Sequence, residues 1–169
     1  FGICLGMQCA VIEYGRNVVG LAGAHSTEFN KETPHPVICL LDEQQQIVDK
    51  GGTMRLGARD CVLDPSSHSF ECYEKAQISE RHRHRYELNS IWKPKFEAAG
   101  LRCSGVSPDR RLVDFIEMVD HPWWVGTQAH PEFKSRPDRP HPLFRELVGA
   151  ALAYRESRAP HLFPVDGSS

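Results

Sequence analysis

Apolar and polar positions alternate between helical and extended patterns along the chain. From Leu5 to about Val19, the residues Met7, Val11, Tyr14 and Val18 recur at three- and four-residue spacings, which predicts an amphipathic helix. Phe1-Gly2-Ile3 just before it reads as the end of a buried strand that runs straight into the helix through Cys4. A strand needs neighbours, so the chain reads as a domain entered part-way. Compact apolar runs at 37–41 and 60–63 predict strands, and so do 86–88, 101–106, 112–118 and 124–128. The polar, glycine-rich stretch 42–57 predicts a mobile loop. Residues 90–99 predict a helix whose boundaries Pro94 blurs. Pro131, Pro137, Pro140 and Pro142 force the chain after His130 into irregular loop, and Leu143, Phe144, Leu147, Val148, Ala151 and Leu152 then mark a closing helix with one apolar face. A single domain over 1–156 and a flexible tail over 157–169 follow, without internal repeats.

Composition narrows the classes. With 169 residues, 20 Lys plus Arg against 22 Asp plus Glu and a net charge of -2, the chain is neither a polybasic nucleic-acid binder nor an acidic tail. A hydrophobic share of 40% supports a real core and excludes wholesale disorder. No stretch approaches the roughly 20 apolar residues of a membrane span, and the start lacks the pattern of a signal peptide. The six cysteines show no zinc spacing, and a chain of this size needs no covalent staples, so reduced thiols, no metal site and a cytoplasmic setting are expected.

Candidate chemistry begins at Gly2-Ile-Cys4-Leu-Gly6, the form of a nucleophile elbow, in which a residue sits on a strained turn between strand and helix. Small flanking residues suit the crowding of such a turn. The helix end and a nearby histidine would lower the thiol pKa, and the Leu5 N–H is a candidate oxyanion donor. The same pentapeptide is equally readable as a buried cysteine in a strand-helix turn. At 125–129 a strand delivers His130, with Glu132 two residues on, so one ring nitrogen could take the thiol proton while the carboxylate fixes the other as N–H. Taken singly, that pair is a histidine capped by an acid. Taken with the elbow, it forms a Cys, His, Glu relay. The acid follows the histidine, which is not the order of the α/β-hydrolases.

GICLGMQ, STEF (26–29), GGTMRLG (51–57), ERHRHRYE (80–87) and HPEF (130–133) together resemble the class I glutamine amidotransferase domain of the CTP synthase type, over nearly the whole chain. The resemblance implies an α/β fold, flavodoxin-like, with a mostly parallel central sheet flanked by helices, whose N-terminal part precedes this sequence. It implies a glutaminase: Cys4 attacks the amide of L-glutamine, His130 shuttles the proton, Glu132 orients His130, and ammonia leaves a glutamyl thioester. Glutamine would be held by Leu5, Gln8, Glu28 and Arg85, with a second oxyanion donor on a glycine-rich loop upstream of residue 1. It also implies a synthetase domain that uses ATP, UTP and magnesium, allosteric activation by GTP, and a homotetramer. The stretch 42–50 is shorter than in bacterial members of the family.

Without the resemblance, Glu28 is also readable as a surface acid. Arg81-His-Arg-His-Arg85 would, on a strand, show three arginines on one face and two histidines on the other, a solvated basic edge. No interleaved aromatics favour a nucleic-acid partner. A different class I amidotransferase, or a catalytically silent regulatory module, remain the alternatives at this level.

Overall fold

The computed structural model describes residues 1–40 and 54–158. The expected loop at 42–57 therefore falls mostly outside the described residues, and so does the tail from 159 onward. Residues 157 and 158 belong to the last helix.

Among the described residues, nine strands form two sheets. The larger has the order β1 (Gly2–Ile3), β9 (Val125–Thr127), β8 (Val113–Met118), β7 (Leu101–Val106), β4 (Arg55–Leu63), β5 (Gln77–His84). The smaller joins β2 (His25–Ser26), β3 (Pro36–Cys39) and β6 (Glu87–Leu88). The α/β class holds, whereas the expected mostly parallel pairing is not what the described residues show. Within the large sheet only β1 and β9 run parallel, and every other neighbour pair is antiparallel. The connections explain this. Short loops join β7 to β8 and β8 to β9, too short for the crossover of a dozen or more residues that a parallel neighbour needs.

Helix α1 (Leu5–Asn17) buries Met7, Val11, Ile12 and Tyr14 against the sheet. Val18 does not continue the stripe; it caps the helix through its N–H to the Tyr14 carbonyl and is exposed, and Gly20 at φ 78° then turns the chain away. Pro94 enters α3 (Lys93–Ala98) in its first turn, where no intrahelical N–H is lost, after a 3-10 turn at Ser90–Trp92 that Asn89 caps. The short helix α2 (His68–Tyr73) was not expected; Ser67 caps it locally, its Oγ accepting the Phe70 N–H at 3.0 Å, and the rest of its first turn is held from a distance. Glu117 on β8 accepts hydrogen bonds from the His68 and Ser69 amides at 2.9 and 2.8 Å and from the Ser69 hydroxyl.

The sheet is apolar on both faces. One face meets α1 and α3 through Met7, Val11, Phe96, Leu101 and Ile116; the other meets α2 and the closing helix α4 (Pro142–Arg158) through Cys61, Leu63, Phe115, Val125 and Leu143. That two-sided burial is why β8 is buried almost throughout, with Asp114 and Glu117 interior alongside Val113, Phe115 and Ile116. On α4 only Leu143 of the expected stripe is fully buried, while Val148 and Leu152 lie exposed.

Packing at β7 is tight. A Cβ at Gly105 would lie 2.7 Å from Phe115 Cδ2 and 3.0 Å from both Cys61 Sγ and Leu63 Cδ2. Gly105→Ala should therefore destabilise the fold by about 1–3 kcal/mol through overpacking, read as a lower midpoint in thermal unfolding.

Candidate active site

The elbow forms because Cys4 takes φ 49°, ψ -103°, a left-handed turn that costs a non-glycine residue energy and is held only by its surroundings. Its N–H donates to the Thr127 carbonyl at 2.7 Å, and its carbonyl accepts the Gln8 amide at 3.2 Å and the Gln128 side-chain amide at 3.0 Å. The two flanking glycines are not equivalent. A Cβ at Gly2 would meet Met7 N at 2.9 Å, so that position must be small, whereas a Cβ at Gly6 would meet nothing within 4 Å among the described residues. The expected crowding applies to Gly2 alone.

The parallel register Gly2↔Gly126 and Ile3↔Thr127 brings the end of β9 alongside the elbow. Beyond it His130 opens a 3-10 turn, Pro131–Phe133, which swings Glu132 back. His130 Nδ1 lies 2.6 Å from Glu132 Oε1, so Nδ1 carries the proton and donates to the carboxylate, and the ring stacks on Phe133. Its Nε2 is buried and makes no hydrogen bond among the described residues. The backbone N–H of His130 donates to the Arg81 carbonyl of β5 at 2.8 Å.

Cys4 and His130 are not engaged with each other in this state. The thiol instead points at the Arg83 carbonyl, 4.0 Å away. The half-buried sulfur also departs from the expected lowered pKa. Burial is the largest influence and raises it; the Leu5 N–H lowers it by less, and the negative charges of Glu132, Glu87 and Glu28 raise it further.

A cleft of about 420 Å³ opens at the sulfur, lined by Cys4, Leu5, Gln8, Glu28, Arg85 and Tyr86 among others. Every residue expected to hold an amino acid thus meets in one place, although they come from α1, the turn after β2 and the end of β5. Gln8 differs in kind from the rest. It is buried, and its side-chain N–H₂ is spent on the Tyr86 carbonyl at 3.0 Å and Gln128 Oε1 at 3.1 Å. The basic segment does not form one face of three arginines. Arg81 and Arg83 lie on the exposed face of β5, and Arg85 lies past the strand end in the cleft wall.

Three features escaped the sequence reading. Gln128 joins Gln8 to the Cys4 carbonyl and so braces the elbow from β9. His82 and His84 are buried and bonded to each other at 3.0 Å, and burial, with Arg55 next, drives them down to about 2 and about 4, so both are neutral. Arg55 binds the buried Asp114 at 2.6 Å. The adjacency of Gln128 to the histidine strand was the one available signal. Among the described residues no group of three or more His, Cys, Asp or Glu could hold a metal ion, no helix is long and apolar enough to cross a membrane, and none of the six cysteines is in a disulfide.

Comparison with known proteins gives the family and the fold. The model of the class-I glutamine amidotransferase family matches residues 1–150. A CTP synthase from Pelotomaculum thermopropionicum is 58% identical over 158 residues, covering 94% of this chain and 29% of the relative. One from Moorella thermoacetica is 60% identical over 150 residues, covering 89% and 28%. The chain thus spans less than a third of the length of these curated relatives. Among solved structures, the glutaminase domain of Trypanosoma brucei CTPS with bound acivicin matches at a TM-score of 0.83 and 37% identity, covering 97% of this chain and 62% of that one. A putative GMP synthase protein from Thermoplasma acidophilum, at 0.58 and 17% identity, shares the fold.

Two outcomes follow from the site. Gln128→Leu leaves the Cys4 carbonyl and Gln8 short of partners and should cost about 1–3 kcal/mol in denaturant unfolding. Alkylation of Cys4 in the unliganded protein should titrate with a midpoint above that of a free peptide thiol, and a midpoint below it would contradict the burial and carboxylate effects.

Proposed function

The chain belongs to the class-I glutamine amidotransferase family, and from that we propose that it is the glutamine-hydrolysing part of a CTP synthase, releasing ammonia from L-glutamine at Cys4. The observation that carries this reading is the cleft where the elbow thiol, Leu5, Gln8, Glu28 and Arg85 converge. A zwitterionic amino acid needs an anion for its ammonium and donors for its carboxylate, and Glu28, Arg85 and the free amides of the first turn of α1 offer both. Gln8, whose side chain is already committed, contributes by shaping the elbow and through its backbone.

In the reaction, the thiol turns from the Arg83 carbonyl to His130 Nε2, whose lone pair has no partner in the resting state. The ring takes the thiol proton while Glu132 holds the Nδ1 proton and steadies the imidazolium. Sulfur adds to the side-chain amide carbon, the oxyanion meets the Leu5 N–H, and collapse breaks the C–N bond as His130 returns its proton to the leaving ammonia. Water, deprotonated by His130, then splits the thioester to glutamate. Neutralising the ammonium of glutamine uses the negative charge of Glu28, which otherwise raises the thiol pKa, so bound substrate favours the thiolate. A synthetase part would consume the ammonia to aminate UTP with ATP and magnesium, with GTP as activator, in a cytoplasmic homotetramer.

The raised thiol pKa and the disengaged His130 favour a second reading, a domain retained without catalysis. Treating the full-length protein with a glutamine-mimicking electrophile decides between them. The catalytic reading expects one adduct, on Cys4, blocked by excess glutamine, and a loss of glutamine hydrolysis of at least about 10³-fold in Cys4→Ala with an unchanged circular dichroism spectrum. No adduct, or equal labelling of several cysteines, would favour the silent domain.

A further inference from the structure

Behind the cleft wall lies a buried charge cluster that the mechanism does not use. Glu87 on β6 directly follows Arg85 and Tyr86, both of which line the cleft, and its carboxyl group is fully buried. Oε1 is 3.5 Å from Arg55 Nη1, and Oε2 has no partner. The guanidinium is already committed elsewhere, since Nη1 lies 2.6 Å from Asp114 Oδ1 and Nη2 3.4 Å from Oδ2. One positive charge therefore faces two buried carboxyl groups.

Among the described residues, the other neighbours supply no second cation. On β5, His84 Nδ1 is 3.1 Å from the Tyr86 carbonyl and 3.5 Å from Glu87 Oε1; a carbonyl only accepts, so Nδ1 carries a hydrogen. Burial holds both rings neutral, so His84 Nε2 accepts from His82 Nδ1. On β4 the Cys61 thiol faces Asp114, and on β3 Cys39 pairs with Glu87 in register. Ionising both carboxyl groups would strand one negative charge in the interior, a far greater cost than leaving a proton in place.

We propose that Glu87 is a positioning residue that stands behind the cleft wall as a neutral carboxylic acid, so that the Arg85–Tyr86 segment is held beside Cys4 without a buried negative charge at its back. The functional part of this proposal rests on the glutaminase reading. Burial, in accord with it, pushes the Glu87 carboxyl from 4.5 up to about 8. Because the folded form binds this proton more tightly than the unfolded chain, Glu87 supports stability fully below about pH 4.5, and that support is lost as the pH rises to about 8. The charge that then appears is the one through which Glu87 raises the Cys4 thiol.

The test uses the full-length protein and two readouts. Infrared difference spectra between neutral and alkaline pH should show a protonated-carboxyl band that shifts on isotopic labelling of glutamate, so that Asp114 is not its source, and that is absent in Glu87→Gln. Glutamine hydrolysis by Glu87→Gln should keep kcat/KM within about threefold of wild type at neutral pH and lose the alkaline fall that the wild type shows. Absence of a labelled band, which would put the proton on His84, overturns the proposal even if Glu87→Gln does not fold. So does an unchanged alkaline limb in a folded Glu87→Gln. If the protein hydrolyses no glutamine at all, the reading of its function falls, while the infrared band still decides the state of Glu87.

Discussion

The parallel pairing of β1 with β9 is the constraint on which the site depends. It is only two residue pairs long, yet it sets Thr127 opposite Ile3, so that the Thr127 carbonyl receives the Cys4 N–H as the strand ends. Parallel strands finish at the same end of a sheet, and here the finishing residues are the elbow and, just beyond, His130. An antiparallel neighbour would have carried the histidine to the opposite end. The left-handed backbone at Cys4 is tolerated because three hydrogen bonds, from Cys4 N–H to Thr127 and to its carbonyl from Gln8 and Gln128, fix the turn from both sides.

A second support comes from β5. Its Arg81 and Arg83 carbonyls, at the far edge of the same sheet, receive the His130 N–H and face the Cys4 thiol. The sheet therefore curls until its two edge regions meet, and the nucleophile and histidine sit at that junction. Glu80, also on β5, gathers His141, Tyr73 and Lys134 at 3.0 to 3.2 Å, which ties the chain after Glu132 back to the same strand. Burial raises the Glu80 carboxyl, but the hydrogen bonds and charges of His141 and Lys134 outweigh it and hold Glu80 below the ordinary carboxylate range.

How much of this could be read beforehand follows from where the determining forces lie. Helix α1 and strands β7, β8 and β9 declare themselves because local spacing and local burial agree. The residues Cys4, His130 and Glu132 stand out because their chemistry is set by spacings of two residues within a motif. Strand direction was not legible, since it depends on loop reach and on the meeting of β5 with β1. Helix α2 escaped because it is only six residues long and its local cap, Ser67, is completed by Glu117, 49 positions from His68. The ionisation of Cys4 was misjudged because a helix end and a histidine are visible in sequence, whereas burial and three converging acids are products of the fold. Arg81 to Arg85 showed the opposite failure: the alternation was plain, but nothing local told that the histidines would be interior and mutually bonded.

The curl of the sheet also bears on how the chain behaves in a crowded solution. An open sheet has two edges whose unpaired amides and carbonyls invite another chain to add a strand. Here the carbonyls of Arg81 and Arg83 are turned toward the histidine segment and the thiol. The exposed side of β5 carries arginines, whose like charges repel an identical edge. The geometry that assembles the site therefore also guards the sheet against edge-to-edge association, so that damage to the elbow would be felt as lost solubility as well as lost chemistry.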